Sequence, residues 1–277
     1  MSAQPSKGGF VDVPGARLAY EVAGEGEALL LIHGGLADRT MWDDQLGAFS
    51  ERYRTIRFDM RGFGESTMSP GPFALHEDVR AVLAALGETQ AHVLGLSLGG
   101  RVAIDFALTY PEMVRTLILA GSALGGYTFS ESTMRQIDEA DEALDAGDIP
   151  RGVELELRLW IDGPRRTPDQ VDPAVRERVR AMNTRNYERA SPEGEPQWPE
   201  PPAVSRLAEI EIPTLVIVGG GDVDDIHRIA DLLVAEIPRS TKVVIPDAAH
   251  HPNMEKPEEF NRAVLNFLAE HTAHRTS

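Results

Sequence analysis

Apolar residues along this chain follow two alternating patterns: short continuous runs, and longer stretches with helical spacing. The runs Ala28–Ile32, Arg54–Phe58, Ala91–Leu94, Thr116–Ala120, Thr214–Val218 and Lys242–Ile245 read as strands. Ala28–Ile32 is apolar throughout, which suits a strand buried on both faces. Between them, Leu75–Leu86 is apolar at positions 75, 79, 82, 83 and 86, the spacing of one helix face. Leu98–Tyr110, which stops before Pro111, and Asp224–Ile237 and Pro257–Glu270 read as helices too. Strands alternating with helices predict an α/β fold with a mostly parallel central sheet flanked by helices.

The middle of the chain breaks this rhythm. From Leu124 to Arg206 no strand pattern stands out. Glu131–Arg158 has helical periodicity and carries nine acidic and three basic residues, and Val171–Arg189 predicts a further helix. Ser191–Pro202, with five prolines in twelve residues, reads as an irregular, semi-rigid connector. The predicted organisation is therefore one core from residues 1–123 and 206–277, with residues 124–205 as a helical insert between two halves of one sheet.

Composition narrows the class. Of 277 residues, 42% are hydrophobic and 26% charged, which excludes a largely disordered, collagen-like or coiled-coil chain. The longest apolar runs fall far below the ~18 residues of a membrane span. The first nine residues contain one lysine and no apolar stretch, so no signal peptide is expected. The absence of cysteine excludes disulfides, thiolate metal sites and cysteine nucleophiles, and fits a cytoplasmic location. A net charge of −17 argues against nucleic acid and anionic membranes as partners, since both would be repelled. No metal site is expected. His227 near Asp224 and Asp225 reads as part of an acidic, solvated helix start.

The chemistry concentrates at three places. Gly95-Leu-Ser97-Leu-Gly99 lies between a predicted strand and a predicted helix. A sharp turn there would present the Ser97 hydroxyl at the carboxyl edge of the sheet and aim the Leu98 N–H at a developing oxyanion. A serine hydroxyl needs a base, and His250 follows the predicted strand Lys242–Ile245. A histidine base needs an orienting acid, and Asp222 follows Thr214–Val218 and a run of three glycines. Asp224 and Asp225 are alternatives for the acid. They also start the next helix, where acidic residues serve as caps. The expected catalytic set is Ser97, Asp222 and His250, each just past a strand end, where ligands bind in open α/β sheets.

These segments, taken with Ile32-His-Gly-Gly35, Asp59-Met-Arg-Gly-Phe-Gly-Glu-Ser66 and Ala249-His250 followed by Glu255-Lys-Pro257, resemble the α/β-hydrolase superfamily, in particular its cap-bearing serine esterases and lactonases. The order serine, acid, histidine is the family's own. The resemblance implies that the insert is a helical cap following the sixth strand. It implies an oxyanion hole from the backbone N–H groups of Leu98 and Gly35, with Leu36 as an alternative to Gly35. It implies loop-supporting roles for His33, Asp59 and Arg61. Asp38-Arg-Thr-Met-Trp-Asp-Asp-Gln45 and Gly-Leu-Ser-Leu-Gly-Gly are similar to the enol-lactonase branch. Relatives that cleave epoxides or carbon–halogen bonds attack with an aspartate at the elbow, where this chain has Ser97.

The implied reaction is hydrolysis of a small carboxylic ester or lactone through an acyl-enzyme, without a cofactor. The same residues suit carbon–carbon cleavage beside a carbonyl, perhydrolysis, a lyase or cyclase step, or a receptor with vestigial activity. Leu36, Trp160 and His251 are candidate pocket residues, His251 also being readable as a bystander beside His250. Met134, Leu157, Ile161 and Met182 would line an apolar pocket or pack the insert. Arg165 and Arg166 would meet a substrate carboxylate or form a solvated pair.

Overall fold

A computed structural model describes residues 6–189 and 194–272. Its main sheet has eight strands: β1 (Lys7–Val13), β2 (Ala16–Ala23), β3 (Ala28–Ile32), β4 (Arg54–Phe58), β5 (Ala91–Leu96), β6 (Val114–Ala120), β7 (Thr214–Gly219) and β8 (Ser240–Ile245). Their order across the sheet is β1-β2-β4-β3-β5-β6-β7-β8. The β1–β2 and β2–β4 pairings are antiparallel and the others are parallel. The six strands that the apolar runs predict all form. β1 and β2 are additions. β1 opens Lys-Gly-Gly, lies at the sheet edge and leaves most of its residues exposed, so it carries little hydrophobic signal.

The pleat sorts each buried strand between two cores. In β3, Leu30 and Ile32 join Val79 and Val82 of α2 (Leu75–Ala85), Val102 and Phe106 of α3 (Leu98–Thr109), and Ile226 and Ile229 of α7 (Asp224–Glu236). Leu29 and Leu31 face the other way, toward Phe49 of α1 (Asp43–Ser50) and Phe260 and Val264 of α9 (Pro257–Thr272). Helices thus cover both faces, as continuous apolar strands require.

Between β6 and β7 the chain forms α4 (Glu131–Asp145), α5 (Ile149–Glu156), a π-helical turn at Leu157–Asp162, and α6 (Pro173–Glu188). Side chains of Ser130, Asp148 and Asp172 accept from the first-turn N–H groups of Thr133, Arg151 and Ala174 and so define the three starts. Leu157, Ile161, Val175, Val179 and Met182 are buried in the same core as Leu29 and Leu31. Asp225 of α7 ties down the entry to α4. Its buried carboxylate accepts from Tyr127 Oη (3.1 Å), Ser130 Oγ (2.7 Å) and Thr133 Oγ1 (2.6 Å). The proline-rich connector is not irregular throughout. Gly194–Pro196 pairs in parallel with Gly71–Phe73 as a separate two-stranded ladder, while residues 191–193 lie outside the described residues. Among the described residues, no helix is long and apolar enough to cross a membrane.

One close approach positions α3 on the sheet. A Cβ on Gly95 would lie 2.1 Å from the Gly99 carbonyl oxygen, and one on Gly99 would lie 2.3 Å from the Ile32 carbonyl oxygen. Both contacts are with backbone and cannot be relieved by rotating a side chain. Gly47, exposed in α1, has open space around it. Gly99→Ala is therefore expected to cost about 1–3 kcal/mol or more, and Gly47→Ala to add roughly 0.5–1 kcal/mol. Urea denaturation of the two variants checks both signs.

Candidate active site

β3, β5, β7 and β8 run in the same direction, so the loops that follow them emerge at one edge. β5 ends at Leu96 and delivers Ser97. β7 ends at Gly219, three residues before Asp222. β8 ends at Ile245, ahead of the loop carrying His250. The three sequence-expected residues meet there. Ser97 Oγ is 2.8 Å from His250 Nε2, and His250 Nδ1 is 2.9 Å from Asp222 Oδ2. A carboxylate can only accept, so Nδ1–H donates to Asp222 and Nε2 accepts from the Ser97 hydroxyl. Asp222 Oδ1 accepts from the Val223 N–H at 2.8 Å. Asp222 and His250 are buried, whereas Ser97 stays partly exposed.

Ser97 sits at φ 56°, ψ −116°, a left-handed backbone that costs a non-glycine residue about 1–3 kcal/mol. Three hydrogen bonds hold it there. Its N–H donates to Ala120 O (3.0 Å), and its carbonyl accepts from Arg101 N–H (3.1 Å) and Ala123 N–H (3.0 Å). The Leu98 N–H opens α3, where no intrahelical acceptor exists. Gly35 is its neighbour across the site, with the position of a Gly35 Cβ lying 3.8 Å from the Leu98 side chain. Among the described residues neither N–H has a protein acceptor.

His33 fixes the loop that carries Gly35. Its Nδ1–H donates to Gly34 O at 2.8 Å, and its Nε2 accepts from Met60 N–H at 2.9 Å. Burial pushes its pKa below the ordinary value, in keeping with a neutral ring that both donates and accepts. Asp59 accepts from the N–H groups of Arg39 (2.7 Å) and Glu65 (2.8 Å), and Arg61 lies buried against Asp78. None of these three groups bonds to Ser97 or His250.

The pocket candidates divide. The Trp160 ring lies 4.6 Å from the His250 ring, centroid to centroid, and Trp160 O accepts from the His250 N–H at 3.3 Å. The π-helical turn that carries Trp160 thus reaches the site. Leu36 is buried next to Gly35. Leu157 and Ile161 are buried in the core, Met182 packs its sulfur 3.4 Å from Thr40 Oγ1, and Met134 is exposed. The alternative acids are engaged elsewhere: Asp224 pairs with Arg165 at 2.7 Å, and Asp225 holds the start of α4. Arg166 is not half of a solvated pair. It donates to Glu255 (2.6 Å) and to the Asp162 and Ile161 carbonyls. Among the described residues no three His, Asp or Glu side chains gather as metal ligands.

Two supports take on their role only in the structure. Glu255 of the short helix α8 (Pro252–Glu255) accepts from Ala249 N–H at 2.7 Å and from Arg166, clamping the loop before His250. Burial raises its pKa, opposed by Arg166. Asn186 of α6 accepts from Gly64 N–H at 3.0 Å and donates to Ala37 O at 3.1 Å, tying the insert to two loops at this edge. Both are polar residues on solvated helix and loop patterns, which do not distinguish a bridging side chain from a free one.

Known proteins share this architecture. A family model described as the alpha/beta hydrolase fold matches residues 27–257. The 2-hydroxy-6-oxononadienedioate/2-hydroxy-6-oxononatrienedioate hydrolase of Burkholderia vietnamiensis (strain G4) is 30% identical over 263 residues, covering 91% of each chain. A hydrolase from Pseudomonas aeruginosa PA01 superposes with a TM-score of 0.77 at 32% identity, covering 94% of this chain and 98% of its own. A thermophilic esterase from Thermogutta terrifontis gives 0.79 at 29% identity, covering 96% and 99%.

His251 generates a pH prediction. It is buried and stacked on His250 with centroids 5.8 Å apart. Burial, reinforced by His250, pushes its pKa from 6.5 down to about 3. The unfolded chain then binds a proton at this position that the folded chain refuses, so stability falls as pH drops from about 6.5 toward 3. His251→Gln should flatten that acid-side decline relative to the wild type. Thermal melts across this pH range read the difference in slope, and equal slopes contradict it.

Proposed function

The chain belongs to the α/β-hydrolase fold family, and from that premise we propose that it is a serine hydrolase cleaving small carboxylic esters or lactones through an acyl-enzyme. The observation that carries this reading is the continuous hydrogen-bonded line from Ser97 through His250 to Asp222. His250 accepts the Ser97 proton as Oγ attacks the substrate carbonyl, and Asp222 stabilises the imidazolium that forms. The oxyanion rests on the N–H groups of Leu98 and Gly35, both fixed before charge develops. His250 then returns the proton to the departing alcohol. Water attacks the acyl-enzyme with the same histidine as base, releasing the acid. No cofactor enters this sequence.

In this reading residues 124–205 act as the cap, with Trp160 and Leu36 bounding an apolar acyl pocket. The substrate is a small molecule. The Thermogutta esterase, alike over nearly the whole chain, supports the ester assignment. The Burkholderia relative, named for its action on 2-hydroxy-6-oxo dienedioates, favours a second reading on the same residues: hydrolytic cleavage of a carbon–carbon bond next to a ketone.

Pre-steady-state assays with p-nitrophenyl acetate, butyrate and octanoate separate these readings. The wild type is expected to turn over repeatedly, and Ser97→Ala to lose at least about a thousandfold in kcat. Asp222→Asn should lose on the order of 10⁴ while Ser97 remains in place. Full activity in Ser97→Ala sinks the proposal. Inactivity on esters with turnover of a 2-hydroxy-6-oxo dienoate transfers it to the carbon–carbon reading.

A further inference from the structure

A cavity of about 300 Å³ opens at the amino edge of the parallel sheet, the edge opposite Ser97. Its polar lining comes from the beginnings of strands and the end of one helix: Glu27 before β3, His92 in β5, Arg115 and Thr116 in β6, Arg239 before β8, and His271 in α9. His92 and Ser97 are five residues apart on one strand and its exit, which at ~3.3 Å per residue places them roughly 16 Å apart. The cavity is therefore separate from the triad, and its chemistry is independent of ester hydrolysis.

The lining has more donors than its own acceptors satisfy. Glu27 is its single carboxylate. It is shared, with Oε1 lying 3.3 Å from Arg115 Nη1 and Oε2 lying 3.4 Å from His92 Nε2. His92 Nδ1 is taken by Thr116 Oγ1 at 2.8 Å. Arg115 Nε is buried and has no hydrogen-bond partner among the described residues. Arg239 adds a second guanidinium at the exposed mouth. His271 Nδ1–H donates to Phe267 O at 2.8 Å, which leaves Nε2 as its remaining polar atom. Burial holds His92 below its ordinary pKa against the pull of Glu27, so the positive charge here comes from the arginines. Two guanidinium groups around one carboxylate make a locally cationic pocket in a chain of net charge −17. The volume lies at the small end of ligand sites, and guanidinium forks match oxyanions.

We propose that this cavity is a binding site for a small oxyanion, a phosphate or a low-mass carboxylate, held by Arg115 and Arg239. The bound oxyanion accepts from the guanidinium N–H groups of Arg115 and Arg239 that reach the cavity, while the Arg115 Nε–H is closed off from it.

Isothermal titration of the full chain in an amine–chloride buffer tests this, with sodium phosphate in one arm, sodium malonate in another and sodium chloride at matched ionic strength as the control. One-site binding of phosphate or malonate with a dissociation constant under about 1 mM is expected, and the arm that binds identifies the class. Ser97→Ala should bind as the wild type does. Arg239→Gln, at an exposed position, should weaken binding at least about tenfold, the scale of one lost charge-assisted hydrogen bond. Arg115→Gln should weaken it likewise, with its melting curve reporting that the fold survives. If neither oxyanion binds saturably above the chloride control, or if Arg239→Gln binds as tightly as the wild type, the proposal is overturned.

Discussion

The turn at Ser97 is the constraint on which the rest of the site depends. A residue held at φ 56° persists only where its surroundings over-determine it. Here the surroundings are backbone: Ala120 accepts its N–H, and its carbonyl accepts two donors from Arg101 and Ala123. Gly95 and Gly99 leave α3 so close to the strands that a Cβ at either would collide with a carbonyl oxygen. The hydroxyl, the free N–H of Leu98 and the approach of the Gly35 loop are consequences of that one packed corner. The strain is local, and the two hydrophobic layers of the sheet maintain it.

The histidine arm is built differently. His250 lies on a loop with no regular structure of its own, and three separate contacts place it: the bond to Asp222, the Trp160 carbonyl and ring, and the Glu255 clamp one residue upstream. Two of these involve the insert, since Trp160 and Arg166 both precede α6. The insert is thus coupled to the histidine.

Much of the frame was legible because buried parallel strands write a continuous apolar run. Six strands and the helices that cover them follow from that period. β1 left no pattern, since an edge strand with two glycines buries too little, and β2, lying between β1 and β4 with Arg17 and Glu21 among its eight residues, buries only Leu18, Ala19 and Ala23. The Gly194–Pro196 ladder ran against the proline content, which tolerates pairing only at an isolated edge. For the candidate site, residue type and position past a strand end singled out Ser97, Asp222 and His250, which the structure brings within hydrogen-bonding distance. The choice of Asp222 over Asp224 and Asp225 rested on helix-cap reasoning, and the structure gives the other two acids partners of their own.

The layering of the sheet and the edge at which its chemistry gathers are written in the order of residues along the chain. Both follow from local periodicity and from where strands end. Which polar groups meet is settled by the packing of distant segments. Asn186 bridging to Gly64 and Ala37, Arg166 reaching Glu255, and Glu27 shared between Arg115 and His92 join residues far apart in the chain. A hydrogen bond acts over about 3 Å and has no period along the sequence. Its partners are set by how whole helices and strands pack, and no local pattern of residues encodes that distance.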